Sequence, residues 1–325
     1  MAWRTRLTEA FGIRLPILLA PMGFAAGGRL AAAVTAGGGL GLIGGGYGDA
    51  AWLEREFAVA GNTRVGGGFI TWSLARQPAL LDLMLARAPA AVMLSFGDPA
   101  PFAAAIRAAG SRLICQVQTM AHARAALACG ADVIVAQGSE AGGHGAVRAT
   151  LTLVPEVADL LARESPPTLL VAAGGIADGR GMAAALMLGA DGVMLGSRLW
   201  ASPECLIHPN HQQAALASDG DGTVRQRAAD IARGYEWPEE FTGRVLRNGF
   251  VERWHGHEAE HRAVADAARA DYMDSVMTGR SEEAGIFIGE AIGLMREVTP
   301  AAEIMAEVAD AAAALLRGRA GEVLV

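Results

Sequence analysis

Two glycine-rich segments each follow an apolar run that is typical of a β-strand. The first is Ala173-Gly174-Gly175-Ile176-Ala177, and the second is Gly196-Ser197-Arg198. Glycine lets backbone N–H groups approach an anion without a Cβ in the way, and the N-terminus of a following helix adds a favourable dipole. The two segments therefore predict a phosphate-binding site, although two ordinary strand-to-helix turns would have the same composition.

A third glycine-rich segment, between Gln137 and His144, carries a histidine. A neutral imidazole can accept a proton near neutral pH, because its ordinary pKa is close to that range. We interpret His144 as a candidate general base; the alternative is that it only joins hydrogen bonds that order the loop. Gln137 could hydrogen-bond a flat heterocycle, and Glu140 could orient the loop.

A methionine, Met22, lies in Pro21-Met22-Gly23, directly after the first apolar run of the chain. Its polarizable sulfur can contact an aromatic ring. The segment is therefore a candidate contact for a flat ligand, or Met22 only fills a gap in the packing.

Eight short apolar runs alternate with alanine-rich segments of helical composition. Strands that are buried on both faces have such continuous apolar sequences. Eight of them with seven helical segments between favour an α/β fold, a (β/α)8 TIM barrel, over an open doubly wound sheet. In a TIM barrel the loops after the strands carry the active site, and all the segments above follow a predicted strand. The predicted strands are 17–20, 40–43, 65–71, 91–95, 112–117, 133–136, 168–172 and 192–195.

The composition changes after residue 201. Residues 202–280 are rich in Arg, Glu, Asp and His and show no strand pattern, which predicts an inserted, mostly helical subdomain with helices at 212–218, 224–233 and 257–277. Residues 1–201 plus 281–325 would form the barrel, with 301–317 as its last helix. Five arginines of the insertion are interpreted as surface charge, although one could meet an acidic substrate or a partner subunit: Arg225, Arg227, Arg233, Arg244 and Arg247.

The composition excludes several classes of protein. A net charge of −7 argues against a nucleic-acid partner, which requires a basic face. No apolar run reaches the roughly 20 residues that a membrane-spanning helix needs, and the first residues do not have the pattern of a secretory signal. Three cysteines give no disulfide framework, so we expect a cytoplasmic protein. His255, His257 and His261 are interpreted as part of a solvated helix, and no metal site is predicted.

Taken together, four segments resemble the nitronate monooxygenase (2-nitropropane dioxygenase) family: Ala20-Pro21-Met22-Gly23, Gly138-Ser139-Glu140-Ala141-Gly142-Gly143-His144, Ala173-Gly174-Gly175-Ile176-Ala177 and Gly189 to Arg198. The resemblance covers nearly the whole chain, and it implies FMN as the cofactor and His144 as the catalytic base. It also implies a cofactor site lined by Pro21, Met22, Gly23, Gly68, Gln116, Gln137, Gly142, Gly143, Gly174, Gly175, Gly196 and Ser197.

The chain departs from the family pattern at two positions. Gly68 stands where many members have Asn, and Gln116 stands where some have Lys. Without that lysine, the negative charge of the phosphate and the flavin would be bound by backbone N–H groups and Gln118. Phe24, Phe69 and Trp72 suggest a bulky, apolar pocket wall.

The resemblance implies oxidation of alkyl nitronates, and of nitroalkanes, with molecular oxygen. The alternative on the same fold is an FMN-dependent reductase that uses NAD(P)H to reduce a quinone or an enoyl thioester, because the motifs mainly build the flavin site. A non-enzymatic flavin-binding or phosphate-binding barrel is a third hypothesis. The sequence does not identify the physiological substrate or the oligomeric state, for which a homodimer is one possibility.

Overall fold

Eight parallel strands form the main sheet in the computed structural model, which describes residues 2–323. Their order in the sheet is β1-β9-β8-β6-β5-β4-β3-β2, and three further strands form a small second sheet in the order β10-β11-β7. The strands are β1 (Ile17–Leu19), β2 (Leu42–Gly44), β3 (Gly66–Ile70), β4 (Ala91–Ser95), β5 (Arg112–Val117), β6 (Val133–Gln137), β7 (Gly143–Gly145), β8 (Leu169–Ala173), β9 (Gly192–Leu195), β10 (Thr223–Gln226) and β11 (Thr242–Leu246).

The main sheet closes into a barrel between its two edge strands. Leu18 and Leu40 form a parallel bridge, in which Leu40 accepts from the Leu19 N–H at 3.0 Å and donates to Ile17 at 3.1 Å. The predicted TIM barrel is therefore confirmed. The second strand begins at Leu42 instead of residue 40, because Leu40 joins the barrel only through this bridge.

The helices surround the barrel, and the long C-terminal helix (Ala301–Val323) packs against the helices at Gly179–Met187 and Gly28–Ala36, as predicted for the last helix. No helix within residues 2–323 is both long and apolar enough to cross a membrane. The helices are α1 (Arg6–Phe11), α2 (Gly28–Ala36), α3 (Ala50–Ala60), α4 (Thr71–Leu74), α5 (Ala79–Leu85), α6 (Ala100–Ala108), α7 (Met120–Ala128), α8 (Thr150–Glu164), α9 (Gly179–Met187), α10 (Ser197–Trp200), α11 (Pro209–Leu216), α12 (Ala228–Arg233), α13 (Gly249–Trp254), α14 (Glu258–Thr278) and α15 (Ala301–Val323).

The barrel strands are buried on both faces, which accounts for their continuous apolar sequences. Side chains such as Leu18, Met93, Ile114 and Val135 form one apolar cluster with their neighbours. The opposite faces of the strands pack with the helices in a second, larger cluster. The barrel is thus a packed scaffold that fixes the loops after its strands.

The inserted segment contains two strands where the sequence predicted none. β10 pairs antiparallel with β11, and β11 pairs antiparallel with β7. The predicted helix at 224–233 was therefore wrong in its first half, since only Ala228–Arg233 is helical. Arg225 and Arg244 lie opposite each other in this small sheet, and buried strand positions are rarely charged, so the pattern looked like a solvated helix. The division of the chain into two domains stays a prediction.

Candidate active site

A cavity of about 720 Å³ opens where the barrel strands end. The lining comes from residues of β3 and β5, from the carboxyl ends of β4, β6, β8 and β9 and the segments after them, from the segments after β1 and β2, and from residues beyond β9, including parts of the insertion. The structure brings all the predicted site residues together there: Pro21, Met22, Gly23, Gly68, Gln116, Gln137, Gly142, Gly143, His144, Gly174, Gly175, Gly196 and Ser197.

Free backbone amides line one side of this cavity. The N–H groups of Gly174, Gly175, Gly196 and Ser197 donate no hydrogen bond within residues 2–323. The Ser197 hydroxyl accepts from the Gly289 N–H at 3.0 Å, which leaves its own proton free to donate. Several free donors beside a cavity fit the oxygens of a phosphate group.

The two helices that follow these amides differ in their N-termini. Asp178 caps α9 by accepting from the N–H groups of Arg180 and Gly181, so these two amides of its first turn are already satisfied. Ser197 begins α10, and its preceding residue makes no side-chain cap. The helix N-terminus beside the cavity that lacks a side-chain cap is therefore that of α10 and not that of α9.

Gly174 is held in a backbone conformation that other residues rarely adopt, with φ of +98°, and a Cβ there would lie 2.8 Å from the Gly138 carbonyl oxygen. We expect Gly174→Ala to destabilise the protein by about 1–3 kcal/mol through backbone strain. We also expect it to weaken binding of the FMN that the sequence resemblance implies by about tenfold or more, because a shifted backbone would misdirect the Gly174 N–H and weaken one hydrogen bond to a charged group. Flavin fluorescence titration of the apoprotein measures the second effect.

Gly110→Ala is the matched control for this variant. Gly110 also has a positive φ, +75°, but a Cβ there meets no atom within 4 Å. It should cost stability and leave FMN affinity unchanged. Equal FMN affinity in the Gly174→Ala protein and the wild type would contradict the assignment of these amides.

Three glutamines form a network on neighbouring strands. The side-chain amides of Gln116 and Gln118 both donate to the Gln137 Oε1, each at 3.0 Å. The N–H groups of the Gln137 side-chain amide donate no hydrogen bond within residues 2–323. Gln116 thus fixes the direction of the Gln137 amide, whose free donors can meet the acceptor atoms of a flat heterocycle.

His144 lies on β7 and pairs with a carboxylate of the insertion. Its Nε2 is 2.8 Å from the Asp230 Oδ2, and both side chains are buried. The Asp230 Oδ1 also accepts from Arg233 at 2.8 Å. The Trp237 indole stacks on the imidazole, with ring centroids 3.4 Å apart and planes 4° from parallel. One carboxylate and one indole therefore fix the imidazole plane.

The two groups of this pair have opposite protonation tendencies. Burial lowers the pKa of His144, and the hydrogen bond to Asp230 offsets that effect only in part. Burial would raise the pKa of Asp230, but hydrogen bonds and charge from His144 and Arg233 more than compensate, and the pKa is lowered. Both directions favour a neutral imidazole and an ionised carboxylate at neutral pH.

The ionised carboxylate also selects the tautomer of the imidazole. Asp230 can only accept, so the Nε2 of His144 carries the proton. The Nδ1 is then the unprotonated nitrogen, and it forms no hydrogen bond within residues 2–323. His144 thus has one nitrogen held by the protein and one able to take a proton.

Sequence reasoning missed Asp230 and Trp237, and it named Arg233 only as one of five arginines, any of which could meet an acidic substrate or a partner subunit. Asp230 is 86 residues from His144 in the chain, in a segment interpreted as a helical lid. The interpretation of the five arginines as surface charge was wrong for Arg233, which binds Asp230, and for two others. Arg244 is buried and pairs with Glu290 at 2.7 Å, and Arg225 donates to the Ser139 carbonyl at 3.2 Å.

The histidine group in the insertion also differs from its interpretation. His261 is buried and stacks on the Trp254 indole, with ring centroids 4.4 Å apart. The solvated-helix interpretation therefore fails for His261 and fits the exposed His255 and His257.

Aromatic side chains cover much of the remaining cavity wall. Phe24 and Phe69 line it as predicted, whereas Trp72 lies behind it, against Tyr47 and Trp237. Phe24 has a φ of +61°, a strained conformation for a bulky residue and one that concentrates at functional sites. The wall is therefore bulky, as the sequence suggested.

An eight-stranded barrel with such a cavity at the carboxyl ends of its strands is the architecture of a TIM-barrel enzyme. The nitronate monooxygenase family model matches residues 71–310. A nitronate monooxygenase of Metarhizium robertsii is 37% identical and aligns over 92% of this chain and 91% of its own. The chain therefore belongs to the nitronate monooxygenase family and is a flavin-dependent oxidoreductase.

Two solved structures are similar over almost the entire chain. FabK from Thermotoga maritima has a TM-score of 0.86 and 28% identity, covering 99% of this chain and 100% of that one. A nitroalkane oxidase from Streptomyces ansochromogenes has a TM-score of 0.76 and 28% identity, covering 96% of this chain and 100% of that one. The barrel and its insertion thus recur together in both proteins.

Proposed function

We propose that this enzyme oxidises alkyl nitronates, and the neutral nitroalkanes that give rise to them, with molecular oxygen and bound FMN. The observation that carries the proposal is one cavity that joins free backbone amides to a buried histidine–aspartate pair. The names of the Metarhizium relative and the Streptomyces structure support the choice of substrate.

The residues of the cavity fit a flavin mononucleotide. The amides of Gly174, Gly175, Gly196 and Ser197 would hold its phosphate, while Gln137 would donate to an acceptor on its ring and Met22 would contact a ring face. Gly68 lets Pro21 pack directly against β3 in that wall, since a Cβ there would lie 2.5 Å from the Pro21 ring. When bound, the flavin would supply the redox chemistry that links oxidation of the substrate to oxygen.

His144 would remove the proton from a neutral nitroalkane. The Nδ1 takes the proton from the carbon next to the nitro group, and the C–H electron pair moves toward the nitro oxygens, which gives the nitronate. Asp230 accepts from the Nε2–H and stabilises the imidazolium that forms. A nitronate substrate needs no such step, so His144 would then only orient it.

Trp237 would keep the proton transfer away from water. Its indole covers one face of His144, and its N–H donates to the Tyr47 hydroxyl at 3.1 Å, which fixes its position. Tyr47 in turn stacks on Tyr235, with ring centroids 3.6 Å apart. In such a dry environment a charge that forms in the reaction interacts strongly with Asp230.

The pH dependence of the reaction should reflect the lowered pKa of His144. A base acts only when deprotonated, so kcat/KM for a neutral nitroalkane should decline as the pH falls through the pKa of His144 in the free enzyme. Since burial lowers that pKa, the midpoint of the decline should lie below the ordinary value of 6.5. A midpoint above 6.5, measured by oxygen uptake over the acid range, would contradict the protonation state that we infer.

Two assays separate the proposed oxidase from the reductase. The purified enzyme is mixed with a nitronate in air while oxygen uptake is recorded, and mixed anaerobically with NADH or NADPH while flavin absorbance is recorded. The proposal expects rapid oxygen uptake with the nitronate and no rapid bleaching by either nicotinamide. Rapid bleaching with no nitronate turnover would favour the quinone or enoyl-thioester reductase.

We also propose that the enzyme is cytoplasmic. Cys115, Cys129 and Cys205 are free thiols, as is usual in a reducing compartment. The homodimer stays a prediction.

A further inference from the structure

Arg233 lies in the lining of the active-site cavity beside the histidine–aspartate pair. Its side chain is 15% exposed, its Nη2 donates to the Asp230 Oδ1 and its Nε donates to the Ala229 carbonyl. The Nη1 donates no hydrogen bond within residues 2–323. The Arg233 guanidinium thus lines the cavity and has N–H groups, those of Nη1, that are free to donate to a ligand.

Aromatic rings surround the same guanidinium. Its central carbon lies 4.4 Å from the centroid of the Phe287 ring, 5.5 Å from that of Tyr235 and 5.7 Å from that of Tyr47. The ring faces attract the cation and restrict its orientation. Since the Phe287 and His144 ring centroids are only 5.5 Å apart, guanidinium and imidazole lie on the same small part of the wall.

The charges of Arg233, Asp230 and His144 indicate which kind of ligand would complete this group. Arg233 and Asp230 balance each other while His144 is neutral, so the charge of an anion bound beside them would be neutralised by proton uptake at His144. Once a proton has moved to His144, the three groups carry one net positive charge. An anion of the substrate, formed in the same step, would restore neutrality.

We propose that Arg233 is the specificity-determining residue that binds the paired anionic oxygens of the substrate. This inference rests on the proposed function and adds the class of substrate: a molecule that presents a nitronate, or an isosteric carboxylate, toward the guanidinium. Arginine suits such a group because its planar N–H donors match two oxygens held in one plane. Arg233 thereby holds the oxygens while the α-carbon faces His144.

Ligand binding tests the inference without turnover. Butyrate has the shape of the nitronate of 1-nitropropane and carries a charge, whereas butanamide is its neutral counterpart. Each is titrated into the FMN-loaded enzyme while the flavin absorbance is followed. We expect butyrate to bind about 10- to 100-fold more tightly than butanamide, the usual range for a hydrogen bond to a charged group.

Arg233→Met should reduce butyrate affinity by about 10- to 100-fold and leave butanamide affinity nearly unchanged. Arg233→Lys keeps the charge without the planar donors and should retain part of the preference. Arg227→Met is the matched control, because Arg227 precedes the same helix, binds the Glu239 carbonyl and does not line the cavity. It should keep the wild-type preference.

Each outcome decides the inference. Wild-type enzyme that binds butyrate no better than butanamide overturns it, even if Arg233→Met fails to fold or to hold flavin. A folded Arg233→Met protein with an unchanged preference for butyrate also overturns it. If the wild type prefers butyrate but does not oxidise nitronates, the anion site stands and only the proposed function fails.

Discussion

Replacing His144 with alanine should lower kcat/KM for neutral nitroalkanes by about 10²- to 10⁴-fold, the usual range for loss of a general base. Its Nδ1 makes no hydrogen bond within residues 2–323, so this nitrogen is free to take the substrate proton. Nitronates are already deprotonated, so their turnover should decline much less. Oxygen uptake with both forms of one nitroalkane measures the difference.

His257→Ala is the control for this variant, since His257 is exposed on the insertion and lies outside the cavity. It should behave as the wild type with both substrates. His144→Gln fills more of the space beside Trp237 and shows whether lost packing causes the effect. If FMN-loaded His144→Ala oxidises neutral nitroalkanes at the wild-type rate, His144 is not the base.

Replacing Asp230 with asparagine should lower kcat for neutral nitroalkanes by about 10²- to 10⁴-fold. The asparagine amide can donate to the Nε2 of His144, which moves the imidazole proton to the Nδ1 and blocks the base. The loss of negative charge should also lower the pKa of His144 further, since the carboxylate raises it in the wild type. The pH profile of kcat/KM should therefore shift to lower pH.

A purely structural role for Asp230 would lower kcat without moving the pH profile. Asp221→Asn provides the comparison, because Asp221 is an exposed carboxylate of the same insertion. It should alter neither kcat nor the profile. An Asp230→Asn enzyme with full flavin content and wild-type kcat would exclude Asp230 from the proton transfer.

The barrel could be predicted from the sequence because its strands are buried on both faces. Continuous apolar runs that alternate with helical segments, such as those around Val133 and Leu169, are typical of a parallel sheet covered by helices. The strand ends then had to meet at one face, so Gly174, Gly196 and His144 could be expected in one cavity. Local sequence patterns and the geometry of a TIM barrel were therefore enough to predict the barrel and the residues at its strand ends.

The charged half of the site could not be predicted in the same way. Asp230 and Arg233 are one helical turn apart in a segment rich in charges, a pattern that a solvated helix shares. Their function depends on a contact with His144 across 86 residues, which local sequence does not encode. The strands β10 and β11 were missed for a related reason. Their arginines, Arg225 and Arg244, donate to the carbonyl of Ser139, which is distant in the chain, and local sequence does not indicate that contact.

The absorbance spectrum of the purified protein tests most directly whether this cavity is a flavin site. We predict a yellow protein with oxidised-flavin bands that releases FMN on heating and, once stripped, regains its spectrum when FMN is added. A colourless protein that FMN cannot reconstitute would contradict the assignment of the cavity and every step derived from it.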